Sequence, residues 1–166
     1  MEFQQNLLEY ISSSLINANQ TVSIAESVTS GLLQLAFSQM PNASLFYKGG
    51  ITTYTLPEKV KFLNVDRTEA KENDCVTQDI ADTMALNVAK SFETDWGIAI
   101  TGYATPVRNS GFKVYSFFSF SYKGETVLSK HIDFHPKTQP LDAQLYYTEF
   151  ILGCFKGELK EIVSSD

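Results

Sequence analysis

The chain has 166 residues, 43% hydrophobic and 19% charged, which is enough for one domain with a sizeable core that needs neither disulfides nor a structural metal. Its net charge of −6 comes without the clustered Lys and Arg that grip a phosphate backbone, and this excludes a nucleic-acid groove. No apolar run is long enough to span a bilayer and no charged-then-apolar pattern opens the N-terminus, so a cytoplasmic setting without membrane contact is expected.

Phe3, Leu7, Leu8, Ile11, Leu15 and Ile16 recur at three-to-four-residue intervals, which predicts an amphipathic helix over residues 3–18. Thr21 to Ala25 then reads as a short strand, and Val28 to Met40 as a helix stopped by Pro41-Asn42. Between them lies Ala25-Glu26-Ser27-Val28-Thr29-Ser30-Gly31. A serine at the first turn of a helix meets unpaired N–H groups and a favourable dipole, which suits a nucleophile and its oxyanion. On these residues alone, Ser27 and Thr29 read as ordinary helix caps.

Ile51 to Tyr54, rich in β-branched and aromatic residues, predicts a second strand, and Gly49-Gly50 before it implies a close backbone approach. Thr55-Leu56-Pro57-Glu58 opens a helix with the spacing of a capping box. Lys59 falls in its first turn, where a cation opposes the dipole; by itself it reads as a solvated surface lysine. Beyond Leu63 to Val65, a polar stretch runs to Asp74. Ile80, Met84, Val88 and Phe92 then mark a helix that begins near Val76-Thr77, which makes Met84 a core residue.

Trp96 to Thr101 reads as a buried strand whose C-terminal end delivers Tyr103 to Gly111, a candidate binding loop. Lys113 to Tyr122 and Thr126 to Phe134 predict a hairpin turning at Tyr122-Lys123-Gly124-Glu125. Pro140 starts a final helix with Leu141, Leu145, Ile151, Leu152, Phe155, Leu159 and Ile162 as its apolar face. This order predicts an α/β fold, a three-layer α/β/α sandwich with a mixed sheet, as one domain over residues 1–166. Cys75 and Cys154, in unlike contexts, are expected as reduced, buried, unpaired thiols, and with only His131 and His135 no zinc-like ligand set forms.

Taken together, these segments resemble the CinA C-terminal domain family, the nicotinamide-nucleotide amidohydrolases. The resemblance spans roughly Thr21 to Phe134 and rests on four motifs in order. Ala25 to Gly31 answers the family's A-E-S-C-T-G-G turn; Phe46 to Gly50 with Tyr54 and Lys59 answers F-x-G-G-x-x-x-Y-x-x-x-x-K. Val76-Thr77 with Ala81, Met84 and Ala85 answers V-S-x-x-x-A-x-x-M-A, and Thr101 to Pro106 answers T-G-x-A-G-P.

The resemblance implies hydrolysis of the carboxamide of nicotinamide mononucleotide to the acid and ammonia, without metal or cofactor. It casts Ser27 as nucleophile and Lys59, near Tyr54, as the base that returns the proton to the leaving amine. The N–H groups after Ser27, with the Thr29 hydroxyl, become the oxyanion donors, and Glu26, Gly31, Gly49, Gly50, Thr101, Gly102 and Arg108 the substrate-binding residues. The partner implied is a small pyridine nucleotide or nucleoside, and the family resemblance implies a homo-oligomer.

The departures bear on the phosphate. Val28 and Ser30 add bulk to the serine turn, Asn87 stands in place of a glycine, and Thr105 replaces a glycine in a loop shortened to Val107–Gly111. Two family arginines fall on Thr138 and Asp142, which leaves Arg108 to meet an anion. An active amidohydrolase and a CinA-like domain that keeps the scaffold as a binding or assembly module therefore both stay open. Ser27, Tyr54 and Lys59 favour the first, and the altered loop favours the second. A generic nucleotide binder has no P-loop or G-x-G-x-x-G to support it.

Overall fold

The computed structural model describes residues 2–163, with side chains through Glu161. Helix α1 (Gln5–Asn17) leads into β1 (Val22–Glu26), α2 (Leu32–Ser38) and, after a single 3-10 turn at Ala43–Leu45, β2 (Tyr47–Thr52). Three helices follow, α3 (Leu56–Leu63), α4 (Arg67–Glu72) and α5 (Gln78–Phe92), then β3 (Trp96–Gly102), β4 (Val114–Tyr122), β5 (Glu125–Phe134) and α6 (Pro140–Val163). The five strands form one mixed sheet in the order β2-β1-β3-β4-β5. The first three run parallel, and β4 and β5 join antiparallel.

The two faces of the sheet are built differently because successive side chains point to opposite sides. On one face, Val22, Ile24, Trp96, Ile98, Ile100, Phe118 and Phe120 pack against α1, α2 and α6. Each such large side chain contributes roughly 1.5–3 kcal/mol on burial, so this layer dominates the core. The other face carries small residues: Ala25 and Ala99 meet Ile80, Met84, Ala85 and Val88 of α5, with Leu63 and Ala70 alongside. There α5 approaches so closely that a Cβ on Gly97 would lie 2.0 Å from the Ala85 carbonyl oxygen. Ser121 Oγ donates to that same carbonyl over 2.9 Å.

Several boundaries differ from expectation, each for a tertiary reason. The second strand begins at Tyr47 and ends at Thr52, so Gly49 and Gly50 lie inside it and Thr53-Tyr54 beyond it. Parallel pairing with β1 holds the glycines there, and a Cβ on Gly50 would stand 2.6 Å from the Ile24 carbonyl oxygen. The second helix starts at Leu32 rather than Val28, because Ser30 and Gly31 adopt positive φ, 52° and 104°. The polar stretch before Asp74 contains α4, capped by the Asp66 side chain, which accepts from the Glu69 N–H.

At the start of α3 the Thr55 hydroxyl donates to the Glu58 carboxylate and makes no side-chain bond to the helix backbone, so the capping box is not formed. Along α6, Ile151, Leu152, Phe155 and Leu159 are buried as expected and are joined by Ala143 and Tyr147, whereas Leu141 is exposed and Leu145 only half-buried. The Ile162 side chain lies outside the described residues. Both cysteines are unpaired; Cys75 is buried, whereas Cys154 is only half-buried.

Candidate active site

Because β1, β2 and β3 run parallel, the segments leaving their C-terminal ends converge on one edge of the sheet, where open α/β sheets place their ligands. A cavity of about 500 Å³ opens there. Ser27 and Val28 reach it from the end of β1, Tyr54, Thr55, Leu56 and Lys59 from the end of β2, and Thr101 to Thr105 with Val107 from the end of β3. Asp74, Cys75 and Val76, from the loop before α5, and Pro140 and Gln144 of α6 complete the wall.

Ser27 and Lys59 form the centre of this arrangement. Lys59 is 1% exposed, and its Nζ lies 2.9 Å from Ser27 Oγ. It also donates to the Thr53 carbonyl at 2.7 Å and the Tyr54 carbonyl at 3.4 Å. Burial pushes the Lys59 ammonium below the ordinary lysine range, while the neighbouring Cys75, Asp74 and Glu58 act in the opposite sense. The expectation of a solvated surface lysine is thus overturned. Lys59 is the buried residue in the first turn of α3, whose Pro57 and Glu58 face solvent.

Geometrically, an amine with two N–H groups on two carbonyls has its lone pair left for a hydroxyl proton. Three acceptors around one nitrogen therefore suit either the ammonium or a neutral amine that accepts from Ser27. The second state is the one a general base requires.

Glu26 organises the turn that carries Ser27. Its fully buried carboxylate accepts from Thr29 Oγ1 at 2.6 Å, from the Gly31 and Leu33 N–H groups at 3.1 and 3.0 Å, and from the Gln34 N–H at 2.8 Å. The Leu33 and Gln34 donors at the start of α2 are consumed by this one side chain, and Ser27 stands five residues before the helix. The expected placement of Ser27 in a first helical turn is therefore corrected. So is the expected role of the Thr29 hydroxyl, whose proton goes to Glu26 and not to an oxyanion. Among the described residues no protein acceptor takes the Val28 or Thr29 N–H. The turn is pinned from the other side by Gln144 of α6, whose Nε2 donates to the Val28 carbonyl over 2.8 Å.

Of the expected site residues, Ser27, Tyr54, Lys59, Thr101 and Gly102 meet at the cavity. Tyr54 offers Lys59 its carbonyl, while its side chain is 70% exposed. The buried Thr101 hydroxyl donates to the Cys75 carbonyl over 2.7 Å, so it holds the wall in place. Glu26, Thr29, Gly31, Gly49, Gly50 and Arg108 lie off the cavity wall. The glycines of β2 serve packing, against Ile24 and Phe92, and Arg108 is an exposed loop residue.

Sequence reasoning missed Asp74, Cys75 and Gln144, which reach the site only through the packing of α4, α5 and α6. Asp74 Oδ2 accepts from Tyr103 Oη at 2.7 Å and from Asn109 Nδ2 at 3.1 Å, which ties the loop before α5 to the loop after β3. Burial pushes the Cys75 thiol up, and Lys59 opposes that shift. No cluster of metal-ligating side chains occurs among the described residues, and none of their helices is long and apolar enough to cross a membrane.

The sequence model of the CinA C-terminal domain matches residues 4–136. A CinA-like protein of Prochlorococcus marinus is 40% identical over 102 residues, which are 61% of this chain and 24% of that protein, so the match spans about a quarter of the relative's length. The competence or damage-inducible protein of Enterobacter asburiae superposes with a TM-score of 0.87 at 23% identity, covering 96% of this chain and 99% of that one. A competence-damaged protein (CinA) superfamily protein of Escherichia coli gives a TM-score of 0.81 at 27% identity, covering 90% and 86%.

Proposed function

The chain belongs to the CinA C-terminal domain family, and from that premise we propose that it hydrolyses the carboxamide of a pyridine nucleotide or nucleoside, giving the acid and ammonia, with Ser27 as nucleophile. The observation that carries this reading is the 2.9 Å approach of a buried Lys59 Nζ to Ser27 Oγ beside an open cavity. A lysine desolvated in this way keeps more of its neutral form near pH 7 than an exposed one does.

The steps follow from these contacts. Ser27 Oγ attacks the carboxamide carbon as its proton passes to Lys59 Nζ, while the carbonyls of Thr53 and Tyr54 hold the nitrogen in line. The oxyanion so formed is met by the N–H of Val28, which lines the cavity and lacks a protein acceptor. Lys59 gives the proton to the departing nitrogen, which leaves as ammonia, and an ester remains on Ser27. Water then attacks the ester, its proton again taken by Lys59 and returned to Ser27 Oγ, releasing the acid.

Ammonia release from a panel of pyridine carboxamides, with wild type, Ser27→Ala and Lys59→Ala side by side, tests the reading. Release that vanishes in both variants is expected. No release from any member, or release that survives Ser27→Ala, rejects it in favour of a domain that binds without turnover.

A further inference from the structure

Resting on the hydrolytic reading above, we propose that Asp74 makes the site select carboxamides whose remainder is cationic or neutral and hydroxyl-bearing, and reject those that carry a phosphate. The cavity wall holds two charged residues, Lys59 and Asp74, and no arginine or histidine. Lys59 is 1% exposed and its Nζ is taken up by Ser27, Thr53 and Tyr54, so it offers nothing to a phosphate away from the reacting bond. The charge facing the rest of the ligand is therefore the carboxylate. In the shallower depression on the far side of Asp74, Lys71 and Glu72 offset one another.

Asp74 is also held in place with unusual care. Asp74 and Cys75 take consecutive left-handed conformations, φ 51° and 62°, a costly backbone arrangement that persists where the surroundings over-determine it. Those surroundings are visible. The Cys75 N–H donates to the Ala70 carbonyl at 2.8 Å, and Thr101 Oγ1 donates to the Cys75 carbonyl. Tyr103 and Asn109 both donate to Oδ2, which leaves Oδ1 without a protein partner among the described residues and free for a ligand hydroxyl or cation. Asp74 is solvent-exposed, so its repulsion of an anion is partly screened and must weaken as salt rises.

Nicotinamide riboside and nicotinamide mononucleotide differ by the phosphate and are the probes. Their dissociation constants are measured by calorimetry on Ser27→Ala, which binds without turnover, and on Ser27→Ala combined with Asp74→Asn. The riboside is expected to bind at least about tenfold tighter, an advantage that shrinks between about 0.05 and 0.5 M salt and falls several-fold with Asp74→Asn. The mononucleotide binding as tightly as the riboside, a ratio untouched by Asp74→Asn, or neither probe binding at millimolar concentration overturns the proposal. Ammonia release is read separately on wild type. Binding with the expected ratio but no release sinks the hydrolytic reading alone, whereas release that prefers the mononucleotide sinks the selectivity and leaves hydrolysis standing.

Discussion

Glu26 and Lys59 are the two fully buried charged side chains among the described residues, and a single residue links them: the Thr53 N–H donates to the Glu26 carbonyl at 2.9 Å, and the Thr53 carbonyl accepts from Lys59 at 2.7 Å. The strand end that leads to the serine and the helix that carries the lysine are thereby locked to the backbone of one residue. Rigid placement of this kind is what a reacting pair requires, since small misplacements are costly to rate.

Removing the lysine should expose its role through pH as well as rate. Lys59→Ala is expected to lower kcat/KM for carboxamide hydrolysis by about 10²–10⁴-fold. In wild type the rate should rise with pH through a midpoint below the usual lysine value of about 10.4, because burial favours the neutral amine that acts as base. A profile flat across that range would assign the proton to another group.

Thr53 holds Lys59 through its backbone, not its hydroxyl, which is buried and has no partner among the described residues. Thr53→Val keeps the shape and removes that orphan. It is expected to leave hydrolysis within about twofold of wild type and to raise stability by up to about 1 kcal/mol. A large loss of activity without a loss of stability, read by urea titration alongside kinetics, would mean that the hydroxyl touches the reaction.

Glu26→Gln replaces an acceptor of four donors by an amide that brings its own N–H groups among them. A cost of about 3 kcal/mol is expected from the loss of charge-assisted bonds in a buried setting. Because the carboxylate also shapes the serine turn, the variant that remains folded should be slower as well. Unchanged stability would show that the start of α2 is satisfied in another way.

Alkaline pH should unfold the protein through its tyrosines. Burial raises the phenol pKa of Tyr47 to about 12 and raises those of Tyr103 and Tyr147 further still. An unfolded chain ionises these phenols near pH 10 while the folded one keeps them protonated, so their stabilisation is complete below about pH 10 and is lost as pH climbs towards the folded values. Lys59, lowered in the fold, works in the opposite direction below about pH 10.4 but is a single group. The urea midpoint is therefore expected to fall between about pH 9 and 11, and tyrosinate absorbance to appear together with unfolding. A constant midpoint across that range would contradict the assignment.

The layers of the fold were legible because they rest on periodicity. The four-residue spacing from Ile80 to Phe92 and the apolar run from Trp96 are strong local signals. Strand β2 was read late because Lys48, Gly49 and Gly50 argue locally against a strand, and pairing with β1 overrides that preference. Helix α4 was missed because its six residues show no apolar period, although Asp66 and Glu69 stand at capping-box spacing.

Within the site, Ser27 and Lys59 were found through family-like motifs, since their contact spans 32 residues and no local pattern encodes it. Asp74 and Gln144 were not found, because each reaches the cavity by tertiary packing and neither stands in a recognisable motif. Glu26 was read as a ligand contact; only the left-handed turn at Ser30 and Gly31 shows its carboxylate doubling back on α2.

The stretch matched by the family ends at residue 136, and α6 begins at Pro140. Yet this helix braces the pocket twice, through Gln144 on the Val28 carbonyl and through Tyr147, whose hydroxyl donates to the Tyr103 carbonyl over 2.9 Å. Substitutions along the last helix can therefore widen, narrow or tilt the entrance while Ser27 and Lys59 stay seated on the turn after β1 and on α3.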